Sequence, residues 1–241
     1  MTAALFLADF DEAVPGQVIV VTGDEARHAG AVKRIEPGEE VLLSNGRGLG
    51  ARGIAESVTK TELRVRVEQT LAEPARRIRV AAVQALAKGE RSELAVQMLT
   101  ELGASRIVAW QADRSIVRWQ GERGDKALAK WRSTARESAK QARRFAVPEV
   151  SAATSRQLVA ALADQDLVLV LHEDADLHIA DIVLPEEGCV AVVIGPEGGI
   201  TGGELDALLA TGAKAVRISD GVLRTSTAGA VALAQLEVLA R

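Results

Sequence analysis

Tyrosine is absent from the chain, and phenylalanine and tryptophan together supply only six of its 241 residues. Surfaces that grip single-stranded nucleic acid are built from stacked aromatic rings, so this scarcity argues against one. Cysteine is reduced to Cys189, which excludes an intramolecular disulfide framework. With three histidines besides, little material remains for a Cys/His zinc site, and no metal is expected. Cys189 reads as a small buried hydrophobe beside a strand. No stretch approaches the ~20 uninterrupted apolar residues of a membrane helix. Met1 to Phe10 carries Asp9 and no basic residue, so it does not read as a secretory signal, and a cytoplasmic location is expected.

Net positive charge is also missing: the chain totals −4. The distribution is more informative than the sum. Lys plus Arg stand at 8 against 12 Asp plus Glu in residues 1–75, at 16 against 7 in residues 76–144, and at 5 against 14 in residues 145–241. Phosphate attraction depends on local charge, so the basic middle is either an RNA footprint in an acidic protein or a solvated helix face.

What is present has two rhythms. Val18-Ile19-Val20-Val21, Val41-Leu42-Leu43, Ile54 to Val58 and Leu63 to Val67 are short β-branched runs. The turn dipeptides Pro15-Gly16, Pro37-Gly38 and Asn45-Gly46 punctuate the chain around them. These predict a small β-barrel with one wet sheet face, ending near Glu73-Pro74. Beyond it, strands are predicted at Ile78–Ala85, Ile107–Trp110, Leu167–Leu171, Val190–Ile194 and Ala215–Ile218. They alternate with helices at Glu90–Leu102, Asp125–Phe145, Ser155–Ala163, Gly203–Thr211 and Thr225–Ala240. That alternation predicts an α/β domain with a mostly parallel sheet, so the expected division is 1–73 and 74–241.

Ligands of open α/β sheets bind at the carboxyl ends of strands, which directs attention to the loops after Leu171, Ile194 and Ile218. Gly195-Pro196-Glu197-Gly198-Gly199 follows a buried-type strand. Its glycines either let a ligand lie against the backbone or simply make a tight turn into a helix capped by Thr201. It matches neither a G-x-G-x-x-G fingerprint nor a G-x-x-x-x-G-K-[ST] phosphate loop. Arg224 stands among hydroxyls at the start of the small-residue helix Ala228 to Ala234. A guanidinium at a helix's positive end needs an anionic partner, from a substrate or from a protein carboxylate. The small residues suit either burial within one chain or a dimer interface.

Together, Leu171-His172-Glu173, the Gly195–Gly199 loop with Ile200-Thr201 and Glu204, and Leu223-Arg224-Thr225-x-Thr227-Ala228 resemble the RsmE family of SPOUT-class RNA methyltransferases. The resemblance spans nearly the whole chain. It includes Lys88-Gly89-Glu90-Arg91, Thr100-Glu101-Leu102-Gly103, Arg114-Ser115, Trp131, Glu137 to Gln141, Arg143-Arg144 and Val147-Pro148. Arg27-His28, Val32, Arg34 and Pro37-Gly38 resemble its N-terminal PUA-like RNA-binding barrel. The resemblance implies an α/β fold in which this barrel precedes a SPOUT domain with a C-terminal trefoil knot, a topology otherwise almost excluded. It implies a homodimer that takes the methyl of S-adenosylmethionine and places it on N3 of a uridine of 16S ribosomal RNA in the small subunit. Implied cofactor contacts are Leu171, His172, Glu173, Gly195, Pro196, Gly198, Ile218, Leu223 and Thr227. Arg224 would stabilise charge on the base and Glu173 would accept its proton. Arg27, Lys33, Arg34, Arg136, Lys140, Arg143 and Arg144 would grip the RNA.

This chain departs from the family pattern at Ser219, Gly221 and Ser226, where relatives carry a leucine-glycine-x-arginine string and a glutamate. Open alternatives are a related enzyme acting on transfer RNA or a ribose hydroxyl, and a non-catalytic RNA-binding assembly factor.

Overall fold

A computed structural model describes residues 3–241 and divides the chain into two compact units. One comprises residues up to Ala75 together with Glu137–Val147, the other Arg76–Arg136 with Pro148–Arg241.

In the first unit the strands are β1 (Ala4–Leu7), β2 (Val18–Thr22), β3 (Glu40–Ser44), β4 (Leu49–Val58) and β5 (Glu62–Ala72). They form one sheet in the order β1-β3-β4-β5-β2, with β1 parallel to β3 and the other neighbours antiparallel. β1 and β2 are not paired with each other, so hydrogen bonding does not close the expected barrel among the described residues. Period-two burial is clear in β5, where Leu63, Val65 and Val67 point into the core and Arg64, Arg66 and Glu68 into water. All five strands contribute to a single core around Phe6, Leu43, Leu63 and Val65.

Between β2 and β3 the sequence reading expected no helix, yet a short helix α1 (Gly23–Arg27) runs directly into a π-helical segment, His28–Lys33. Gly23 and Gly30 weaken the helical pattern there, and a segment this short gains its stability from packing instead of propensity. Ala26 and Ala29 are fully buried beneath it.

The stretch Glu137–Val147 groups with this unit through specific bonds. Glu73 accepts from the backbone N–H groups of Phe145 and Ala146 and pairs with Arg144. Ser44 Oγ and the Gly48 N–H both donate to the Phe145 carbonyl. A Cβ on Gly50 would fall 2.3 Å from the Phe145 ring, so only glycine admits that ring.

In the second unit the elements are β6 (Ile78–Ala85), α2 (Arg91–Glu101), β7 (Arg106–Gln111), α3 (Gly121–Gln141), β8 (Glu149–Thr154), α4 (Ser155–Ala161), β9 (Leu167–Leu171), β10 (Gly188–Ile194), α5 (Gly202–Leu209), β11 (Lys214–Val216) and α6 (Thr225–Leu239). The last turn of α3 belongs to the first unit. All six strands are parallel, in the order β11-β9-β10-β6-β7-β8. β8 had no counterpart in the sequence reading: Glu149-Val150-Ser151-Ala152-Ala153-Thr154 is a short, polar edge strand with a weak apolar signal.

Alternate residues of each strand enter different cores, as burial on both faces requires. Ala82, Ile107, Leu169, Val190 and Val192 pack with Leu99, Trp131 and Leu236 on one side. Val83, Val108, Trp110, Val170 and Val193 pack with Leu158 and Leu208 on the other. The chain steps outward from β6 through β7 and β8, then continues on β6's other side. Loops leaving the sheet therefore diverge between β6 and β10, where such sheets bind ligands. The small residues of α6 have a use within one chain: a Cβ on Gly229 would lie 3.0 Å from Leu99 and 3.4 Å from Ile194. No helix among the described residues is long and apolar enough to cross a membrane.

Candidate active site

Because β11, β9 and β10 are adjacent and parallel, the loops that follow them leave from one edge of the sheet. After β9, the His172 N–H donates to the Val216 carbonyl at 3.0 Å, and its Nδ1 accepts from the Asp174 N–H at 3.2 Å. The same loop then runs beside the chain leaving β11, with Ile179 N–H donating to Arg217 and Arg217 N–H to Leu177. Glu173 is exposed, with no hydrogen-bond or ionic partner among the described residues.

After β10, Gly199 N–H donates to Pro196 and closes the turn. A Cβ on Gly198 would press at 3.1 Å on Arg114, whose guanidinium donates to the Gly198 carbonyl at 3.1 Å. Protein packing thus explains part of the glycine content. The backbone N–H groups of Gly195, Glu197 and Gly198 nevertheless donate to nothing among the described residues, nor do those of Val222, Leu223 and Arg224 after β11. Unused donors on two neighbouring turns are free to meet acceptor atoms of a ligand.

Thr225, the first residue of α6, ties these turns together. Its hydroxyl donates to the Gly195 carbonyl at 2.6 Å and accepts from Gln84 Nε2 at 2.9 Å. Gln84 is fully buried at the end of β6, and its Oε1 has no partner. The sequence reading passed over Gln84, although a lone amide within the apolar run Ile78–Ala85 is a visible signal.

Glu204 secures the far side of the Gly195–Gly199 loop. It forms a capping box with Thr201 and also accepts from the Asp113 N–H at 2.8 Å and Ser155 Oγ at 2.6 Å. Burial pushes its pKa up, but the bonds from Ser155, Asp113 and Thr201 outweigh it and hold the carboxyl below its ordinary value.

The remaining predicted contacts separate by environment. Leu171 and Leu223 are half-buried, Pro196 and Ile218 are buried, and Thr227 is exposed. The Ile218 carbonyl accepts from Gln235 Nε2 at 3.1 Å. Arg224 occupies the N-cap position of α6 with extended backbone, and its exposed guanidinium meets no carboxylate among the described residues. The protein thus does not itself supply the anion that this arginine calls for. Ser226 is buried, with no outward carboxylate at that position.

Two predicted RNA contacts are corrected. Lys140 is buried, with Nζ 3.0 Å from both Glu25 and Glu137, and Arg144 is mostly buried against Glu73. Both charges are spent inside the first unit, and extracting either to meet a phosphate would break an enclosed ion pair. Arg27, Lys33, Arg34, Arg136 and Arg143 are exposed. Arg27 pairs with Asp24 at 2.9 Å.

A model of the RNA methyltransferase domain matches residues 74–237, and one of the RNA methyltransferase PUA domain matches residues 21–68. The Mycobacterium bovis ribosomal RNA small subunit methyltransferase E is 45% identical, covering 99% of this chain and 93% of its own length. The chain belongs to the ribosomal RNA small subunit methyltransferase E family. The Bacillus subtilis member of that family is 31% identical over 90% of this chain and 88% of its own. Among solved structures, a Legionella pneumophila methyltransferase in complex with bound S-adenosylmethionine (SAM) superposes with a TM-score of 0.87. It is 28% identical and covers 99% of this chain and 98% of its own. The Neisseria gonorrhoeae member, bound to S-adenosyl methionine, shares the fold at a TM-score of 0.89, with 24% identity and coverage of 99% and 98%. Membership makes this chain an RNA methyltransferase with a PUA-type unit ahead of a parallel α/β unit.

Proposed function

We propose that the chain methylates N3 of a uridine in 16S ribosomal RNA of the small subunit, with S-adenosylmethionine as donor. The observation that carries this reading is the set of backbone N–H groups at Gly195, Glu197, Gly198, Val222, Leu223 and Arg224 that are unused among the described residues, together with the exposed side chains of Arg224 and Glu173. The cofactor offers ring nitrogens, ribose hydroxyls and a carboxylate as acceptors, which fits that donor set. Leu171, His172, Glu173, Gly195, Pro196, Gly198, Ile218, Leu223 and Thr227 would hold it. When bound, it supplies an electrophilic methyl group on a sulfonium.

The chain's own work is to position the base and manage its charge. Uridine N3 must lose its proton to become nucleophilic, and Glu173, exposed on the loop after β9, would accept it. Arg224 then balances the negative charge developing on the base, an electrostatic contribution that a positioned donor makes without reorganisation. Gln84, through Thr225, keeps the start of α6 against Gly195, so the donors on both turns hold a constant spacing. Because N3 lies on the pairing edge, the target must be unpaired or extruded. The first unit would bind RNA through Arg27, Lys33, Arg34 and Arg143, with Arg136 contributing from the second unit, which would carry the transfer. A trefoil knot through the three loops, a homodimer and a cytoplasmic setting complete the reading.

The test is transfer of labelled methyl from S-adenosylmethionine to small subunits lacking the modification, followed by mass-spectrometric mapping. A 3-methyluridine in 16S ribosomal RNA is expected. A label on transfer RNA or on a ribose hydroxyl overturns the assignment.

A further inference from the structure

The first unit contains a cavity of about 560 Å³ that lies apart from the loops assigned above to methyl transfer. Lys33, Arg34, Arg143, His28, Glu39 and Glu40 are among the residues lining it. The volume lies within the usual range for small-ligand sites. Lys33, Arg34 and Arg143 are exposed and have no anionic partner among the described residues, whereas Lys140, which also lines the cavity, is neutralised by Glu25 and Glu137.

The backbone at two of these cations is unusual. Arg34 and Arg143, each with φ 54°, are the only non-glycine residues with positive φ among those described, and both face this one cavity. Each ends a helix. After α3, Arg143 N–H donates to Lys140 and Arg144 N–H to Ala139, the pair of bonds that closes a helix through a left-handed residue. After the π-helical segment, Arg34 and Ile35 N–H both donate to Ala29. The second unit ends α2 with the same bonding, Gly103 N–H to Thr100 and Ala104 N–H to Leu99, and puts glycine at the left-handed position, φ 86°. Glycine is the unstrained residue there. Fold alone therefore does not explain arginine at both cavity-facing ends, while strained residues kept in place by their surroundings concentrate at ligand sites.

Resting on the RNA-methyltransferase reading, we propose that this cavity receives one unpaired RNA nucleotide, its phosphate held by Arg34 and Arg143 with Lys33 beside them. Two guanidinium forks match a phosphate's oxygens in number and geometry. Glu40 is already engaged by Arg52 at 3.9 Å, and Glu39 is unpaired. A carboxylate among the lining residues suits a base that presents N–H donors, as guanine and cytosine do. An anion-only site would gain nothing from those carboxylates, but a nucleotide, anionic at its phosphate and donor-rich at its base, uses both kinds of lining residue.

The experiment uses the full chain, a fluorescein-labelled single-stranded RNA octamer of mixed sequence, and guanosine 5′-monophosphate, guanosine and inorganic phosphate as competitors. Guanosine 5′-monophosphate should displace the RNA at concentrations where guanosine and phosphate do not. The double variant Arg34→Gly, Arg143→Gly should bind the octamer roughly tenfold more weakly and lose that competition. Its melting temperature should be unchanged or higher, because glycine relieves the backbone. That opposite movement of stability and affinity is one a merely structural role would not produce. If the glycine variant fails to fold, Arg34→Asn with Arg143→Asn removes the charge with a residue that tolerates positive φ. Unchanged affinity in the folded variant, or inorganic phosphate competing as well as the nucleotide, overturns the proposal. Methyl transfer is no readout here, so failure of the uridine assignment appears in the mapped methyl group and failure of the pocket in the binding series.

Discussion

Two carboxylates in the second unit share a residue type and little else. Glu204 is buried and accepts from Ser155, Asp113 and Thr201, whereas Glu173 is exposed with no partner. The basic residues of the first unit divide the same way: Lys140 and Arg144 are enclosed by glutamates, while Arg34 and Arg143 face a cavity unpaired. A charge whose donors and counter-ions come from the protein holds loops in place. One left without them is available to a substrate, and burial decides which role a residue takes.

Breaking the enclosed class should produce the largest effect. Lys140→Met removes the buried ammonium that binds both Glu25 and Glu137, and breaking a buried ion pair costs on the order of 3–5 kcal/mol in denaturant unfolding. A loss below about 1 kcal/mol would return Lys140 to the solvated class. Next, Arg224→Ala should lower the rate of methyl transfer by about 100- to 1,000-fold. Calorimetry should find affinity for S-adenosylmethionine within a few-fold of wild type, and an equal loss in both would make Arg224 a cofactor contact instead.

The smallest of the three concerns Glu204→Gln, which weakens charge-assisted bonds and should cost about 1–3 kcal/mol. Its sign with pH sharpens the comparison. Because the folded-state pKa of Glu204 lies below its ordinary value, the contribution is full above the unfolded-state pKa. It is lost as pH falls through the lower folded-state value. The stability gap between wild type and Glu204→Gln should therefore close in acid. A gap constant across that window would mean that the charge on Glu204 contributes nothing.

Much of the second unit was legible from periodicity alone. Runs such as Val190–Ile194 are apolar on both faces, as only a covered parallel strand is, and the loops after Leu171, Ile194 and Ile218 do leave from one sheet edge. Both units were less legible where apolar content was low. α1 and the π-helical segment hold Gly23 and Gly30, and β8 is short and polar, so neither pattern rose above its surroundings. The sequence also counted Lys140 and Arg144 with the RNA-facing cations, since a count of charges carries no information about burial.

The order of motifs, the change from strand-rich to alternating rhythm and the family membership were all determined by the amino-acid sequence, because they depend on neighbours along the chain. Which glutamate is held by four bonds, which lysine is enclosed and which two arginines keep left-handed backbone beside one cavity were decided only by tertiary structure. Those properties arise from residues far apart in sequence: Lys140 meets Glu25 and Gln84 meets Thr225 only after the chain has folded.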